Sequence, residues 1–256
     1  MAHPHRTATP PTRPPMSLQV QRMRRGQPPA QRIDWSSWYL SEEDDMGQPP
    51  EHDIAINSLR NLMARFLAEC GPKHSFVGSD AFFAWVPHQP RVQISPDIYV
   101  LDHPPDPLPK RFETWQPGHH PPRFALEVVS DDWRKDYTEG PQKYAQLGAL
   151  ELVIFDPDCR RAPPSQHRVL FQVFRRMDDG LLVEVARGDG PVYLEQVGAW
   201  LVGTGGATVQ ARLALDELGD QLVPTAAEAE AAERLARQAA ERELAELRAI
   251  LAKRVG

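Results

Sequence analysis

Between Phe124 and Phe155 the chain passes through one apolar run, a polar segment, a helical pattern and a second apolar run. The first run is Phe124-Ala125-Leu126-Glu127-Val128-Val129, and the second is Leu150 to Phe155. The pattern between them reads as a helix from Glu139 to Leu147, closed by Gly148. Two strands joined through a helix leave no room for a hairpin, so they lie parallel through a right-handed crossover. Strands this apolar are buried on both faces, and the unit therefore predicts a sheet with cover on either side.

Other segments extend that sheet. Ile54, Ile56, Leu59, Leu62, Met63, Phe66 and Leu67 recur at three- and four-residue steps, which predicts an amphipathic helix from Pro50 to Glu69 that ends at Gly71-Pro72. Short runs at 75–77, 81–86, 92–94 and 98–101 are bounded by Gly, Pro or Asp and read as strands. The last two frame Ser95-Pro96-Asp97. Runs at 169–174 and 181–186 flank Asp178-Asp179-Gly180, a hairpin signal, so the sheet is mixed. From Asp102 to Pro122 the chain carries seven prolines and His119-His120, and it reads as a long surface loop.

Composition sets the limits of this domain. With 256 residues, 41% apolar and 25% charged, membrane-spanning and fibrous architectures are excluded. Residues 1–31 hold seven prolines, five arginines and no acid. They cannot bury a core and read as a disordered tail, a basic arm that either stays solvated or touches DNA phosphates. Asp34 to Leu40, with Trp35, Trp38 and Tyr39, is expected to pack on the domain edge. Without the tail the formal charge falls from −6 to −11, so any polyanion must be met locally. Cys70 and Cys159 show neither zinc spacing nor a disulfide framework, and a reduced cytoplasm is the simplest home. The main domain is read as 32–217. Residues 218–256 follow as an Ala/Glu/Arg-rich helix, with no Gly or Pro from Ala226 to Lys253. Glu230–Arg234 and Glu233–Arg237 are favourable pairs on it, and Leu244, Leu247 and Leu251 form a short seam. That seam suits either a homo-oligomeric coiled coil or a solitary solvated helix.

The chemistry concentrates in Asp97 and Glu127. A carboxylate in an apolar strand costs several kcal/mol unless it is paired, hydrogen-bonded or bound to a cation. Two of them on neighbouring strands suit Mg²⁺ or Mn²⁺, which takes oxygen ligands, polarises a phosphodiester and lowers the pKa of a bound water. The plainer reading is that Asp97 caps a turn after Pro96 and Glu127 pairs with a lysine or arginine. Asp136 and Glu139 are read as helix-start residues favoured by the dipole, or as groups orienting a lysine. Trp115 and Trp133 pack a loop edge or stack on bases. Adjacent histidines on a proline-rich loop point apart more often than they chelate.

Ser95-Pro96-Asp97-Ile98-Tyr99-Val100, Leu126-Glu127-Val128-Val129-Ser130, Asp136, Tyr144, Gly148 and Phe155-Asp156-Pro157 resemble, in order and spacing, the landmarks of the Uma-two family of restriction endonucleases. That family is a branch of the PD-(D/E)XK nuclease superfamily. Glu51-His52 at the first helix resembles it too, as does the Glu/Ala/Arg-rich C-terminal helix. The likeness covers about residues 34–217 and is specific over 95–157. It implies an α/β, restriction-endonuclease-like fold, a central mixed sheet flanked by helices. It further implies metal ligation by Asp97, Glu127 and the carbonyl of Val128. The superfamily's lysine position is Val129 here, and the position four residues before Tyr144, where the branch carries a lysine, is Gly140. Lys143 and, in reserve, Lys135 are the nearby cations. The expected function is Mg²⁺- or Mn²⁺-dependent hydrolysis of DNA phosphodiesters. The alternative is a catalytically weak or inactive nuclease-fold protein that binds or assembles through its C-terminal helix.

Overall fold

The computed structural model describes residues 50–255 apart from 131, 207 and 208, and of 50–52 and 251–255 it describes the backbone alone. The expectations for residues 1–31, for the aromatic cluster at 34–40 and for the side chains of Glu51, His52 and Leu251 lie outside the described residues. Helix α1 (Pro50–Cys70) leads into β1 (Ser75–Gly78), β2 (Phe82–Ala84), β3 (Gln93–Ile94) and β4 (Ile98–Asp102). Then come β5 (Arg111–Glu113), β6 (Phe124–Val128), α2 (Trp133–Leu147) and β7 (Glu151–Phe155). Strands β8 (Phe171–Arg176), β9 (Leu182–Gly188), β10 (Val192–Leu194), β11 (Ala199–Thr204) and β12 (Gln210–Ala214) precede helix α3 (Ala226–Val255).

The central sheet has six strands in the order β1-β4-β6-β7-β8-β9. Its one parallel pair is β6–β7, the pair joined by α2, and the other neighbours run antiparallel. Alternation along each strand divides the apolar side chains between two faces. Ile98, Val100, Phe124, Leu126, Val128, Val153, Phe155, Phe171 and Val173 meet the apolar face of α1 and the three-stranded sheet β10-β11-β12. Tyr99, Leu101, Ala125, Leu152, Ile154 and Phe174 meet Tyr144 and Leu147 of α2 and the small sheet β3-β2-β5. The sheet is therefore flanked by helices as expected, with an added small sheet on each side.

Two differences from the sequence reading have physical causes. Helix α2 begins at Trp133, six residues before Glu139, and runs through Pro141. A proline suits the first turn of a helix, which makes 139 look like the start. Trp133 and Tyr137, however, pack edge to face at 5.4 Å against the core and draw the helix back by more than a turn. The proline-rich segment is not all surface loop. It contains β5, whose Phe112 is buried and stacks on Phe83 at 4.7 Å. One apolar residue between arginine and glutamate leaves no period to read.

Helix α3 is fixed at its root. Thr225 and Glu228 form a reciprocal capping box: the Glu228 N–H donates to Thr225 Oγ1 at 3.2 Å, and the Thr225 N–H to Glu228 Oε2 at 2.7 Å. Arg212 also binds Glu228 at 2.7 Å. The ion pair further along among the described residues is Arg237–Glu241 at 3.1 Å, one turn on from the expected Glu233–Arg237 contact. No helix among the described residues is long and apolar enough to cross a membrane.

Candidate functional site

Asp97 stands just before β4, and Glu127 is the penultimate residue of β6. Ile98 pairs with Leu126 across the antiparallel ladder, so one step outward Asp97 opposes Glu127 on the α2 side of the sheet. The Val128 N–H donates to Asp97 Oδ2 at 2.7 Å, which anchors this carboxylate across the strands. Asp97 is buried. Glu127 keeps part of its surface open, while its carboxyl sits enclosed by protein and accepts a short hydrogen bond from the buried Tyr144 hydroxyl. The aspartate thus holds a backbone N–H of the partner strand. The glutamate accepts from a neutral phenol, and Lys143 acts on it electrostatically.

Burial first, and then the charge of Asp97, push the Glu127 carboxyl well above its usual range, and the Tyr144 bond opposes this only in part. Burial and the adjacent Glu127 likewise raise the Tyr144 hydroxyl. Lys143, the residue before Tyr144 on α2, is buried and lies 4.0 Å from Glu139. Burial lowers its pKa against the pull of Glu139, Glu127 and Asp136. Asp136 accepts from the Ser130 N–H at 2.8 Å and from its hydroxyl at 3.0 Å, tying Ser130 to the first turn of α2. Its carboxyl is raised by burial despite those bonds.

The geometry brings Asp97, Glu127 and Val128 together, and Lys143 acts electrostatically on Glu127. Lys135, in the first turn of α2, acts electrostatically on Asp136. Val129 is a core residue in the same apolar cluster as Tyr144, and a side chain at Gly140 would meet open space. Sequence reasoning marks Tyr144 only as a landmark and gives Ser130 no role. The Glu127-x-x-Ser130 and Asp136 spacing holds the signal for the second. His119 accepts a hydrogen bond from the Glu113 N–H at 3.0 Å and packs on Phe112, so it and exposed His120 do not chelate together.

Among the described residues no three His, Cys, Asp or Glu side chains gather as an all-protein metal cage. Two opposed carboxylates and one backbone carbonyl remain, all oxygen donors. That set fits a hard divalent cation that retains much of its water. Without a cation, the carboxylates repel and Glu127 holds a proton more tightly than in the unfolded chain. Its raised pKa stabilises the metal-free fold fully below the unfolded value, and this is lost as pH rises through the folded value. In EDTA the melting temperature should therefore fall as pH climbs above the ordinary carboxylate range, and Glu127→Gln should flatten that fall. Parallel melting curves for the two proteins would count against it.

A model of the Uma2 family, described as "Putative restriction endonuclease", matches residues 43–196. A crystal structure of a "putative nuclease belonging to DUF820" from Anabaena variabilis is similar at a TM-score of 0.40 and 14% identity, over 59% of this chain and 76% of that one. No curated protein matches the chain.

Proposed function

The chain belongs to the Uma2 family of "Putative restriction endonuclease" proteins, and on that premise we propose that it hydrolyses DNA phosphodiester bonds with a divalent cation, Mg²⁺ or Mn²⁺, at Asp97, Glu127 and the Val128 carbonyl. The observation that carries the proposal is the opposition of two enclosed carboxylates, with Asp97 held by the Val128 N–H and Glu127 by the Tyr144 hydroxyl. A cation bound there supplies positive charge that polarises the phosphate and lowers the pKa of a water.

The protein's own groups do the rest. Tyr144 holds Glu127 by its Oε1, and a cation would take the place of the proton shared between this carboxylate and Asp97. Lys143, its pKa lowered by burial, takes a proton from the attacking water more readily than an exposed lysine would. The water oxygen bonds to phosphorus, the bond to the leaving oxygen breaks, and that oxygen takes up a proton from solvent. Asp136 and Ser130 keep the start of α2, and with it Lys143, in register with the end of β6.

Incubating the full chain with supercoiled and linear DNA in Mg²⁺, Mn²⁺ or EDTA tests this reading. Cleavage is expected with either ion and none in EDTA, and DNA left intact under every condition would sink it. A second reading, an assembly role for α3, draws on Leu235 and Leu247, which are 65% and 54% exposed on that helix. Deleting 226–256 should then reduce the particle mass measured in solution to that of a single chain, and an unchanged oligomer size would dismiss it.

A further inference from the structure

Because β6 and β7 run parallel, the segments that follow them leave the same end of the sheet. The first passes through Ser130 into the opening turn of α2. The second makes two 3-10 turns, Cys159–Arg161 and Pro164–Gln166, before β8. Between them lies a cleft of about 450 Å³ lined by Trp133, Asp158, Arg161, Ala162, Pro163, Gln166 and Arg168. That volume lies within the usual range of small-ligand sites.

The cleft combines guanidinium groups with an indole. Arg168 lies 5.8 Å from the centre of the Trp133 ring. It is pinned there by two bonds of 2.7 and 2.6 Å to Asp156, a fully buried carboxylate that also accepts from the Tyr137 hydroxyl at 2.8 Å. Arg134 lies 4.8 Å over the same indole, and Arg187 lies 5.8 Å over the Tyr137 ring. Arg161 reaches Asp158 at 3.0 Å with over half of its side chain open to solvent. Asp156, Asp158 and Glu184 are engaged by Arg168, Arg161 and Arg187 in turn. In a domain whose overall charge repels polyanions, Arg161 and Arg168 line this cleft beside an indole that Arg134 also approaches. Aromatic faces stack bases, and guanidinium groups bind phosphate through paired hydrogen bonds.

We propose that this cleft binds a nucleotide of the DNA strand flanking the cleaved phosphate, its base against Trp133 and its phosphate on Arg161. The inference rests on the DNA-acting reading of Asp97 and Glu127, and Trp133 follows Glu127 by six residues along the chain. Arg168 shapes the site by holding its place against Asp156.

Fluorescence anisotropy of a short fluorescein-labelled DNA duplex in EDTA, titrated with the full chain over a range of salt, tests it. Trp133→Ala and Arg161→Ala are each expected to weaken binding by about tenfold, and Trp133→Phe, which keeps a ring, to stay within about threefold of the parent. Arg161→Ala should also lower the logarithmic salt slope by about one. Equal affinity and slope in all four proteins, or no DNA binding by the parent, would overturn the proposal. Cleavage in Mg²⁺ is scored separately. Cleft-dependent binding without cleavage removes the nuclease reading and keeps the cleft, while cleavage with cleft variants that bind like the parent does the reverse.

Discussion

Asp97→Asn and Glu127→Gln should each lower DNA cleavage by roughly 10³-fold while leaving a folded protein. The charge that a bound cation supplies is worth several kcal/mol of transition-state stabilisation, and each ~1.36 kcal/mol is tenfold in rate. Both substitutions keep the shape of the side chain. The amide oxygen that replaces the Asp97 carboxylate would still accept the Val128 N–H, and the one that replaces the Glu127 carboxylate would still accept the Tyr144 hydroxyl. The two hydrogen bonds that position these groups therefore survive. Glu127→Gln also removes the repulsion between the carboxylates, so in EDTA its melting temperature should equal or exceed that of the parent. Lys143→Met belongs to the same series and should cost about 10²–10⁴-fold, the usual worth of a positioned acid or base. Initial rates on supercoiled DNA measure all three. Undiminished cleavage by either carboxylate variant would place the chemistry elsewhere, and undiminished cleavage by Lys143→Met would remove only the lysine.

Arg168→Met is expected to destabilise the fold by about 3–5 kcal/mol, since breaking a buried pair from one side leaves an uncompensated charge. Asp156 has no solvent-accessible surface, and both of its oxygens are bound by Arg168. The same contact raises the pKa of Arg168 above its already high value. Urea unfolding of the single variant and of the double variant Arg168→Met/Asp156→Asn measures the effect. The double variant should recover much of the loss because no charge is then stranded. Equal midpoints for the parent and the single variant would show that water reaches Asp156.

How much of this is legible in the sequence depends on the range of each interaction. Glu127 is legible because one carboxylate in an apolar strand breaks a local pattern, and the β6–α2–β7 crossover because helix and strand alternate within a short stretch of chain. The opposition of Asp97 to Glu127 is not, since it depends on the register of β4 against β6, and a shift of one residue would send Glu127 to the other face. The Tyr144–Glu127 bond likewise needs α2 seated on the sheet. Strands β10 to β12 carry a buried layer through Leu194, Leu201 and Leu213. The first is three residues long and polar residues interrupt the last, while the apolar run Ala199 to Val202 of the middle strand is too short to tell from a buried helical segment by period. The arginines around Trp133 and Tyr137 come from α2, the segment after β7, and β9, so no stretch of sequence displays them together.

The capping box at Thr225 and Glu228 roots a helix of 30 residues, Ala226–Val255, onto β12 through Arg212. At ~1.5 Å per residue a straight helix of that length reaches about 45 Å, and duplex DNA rising ~3.4 Å per base pair covers the same span in roughly 13 base pairs. Anything held at its far tip would stand more than a full turn of duplex away from the point where the helix is anchored.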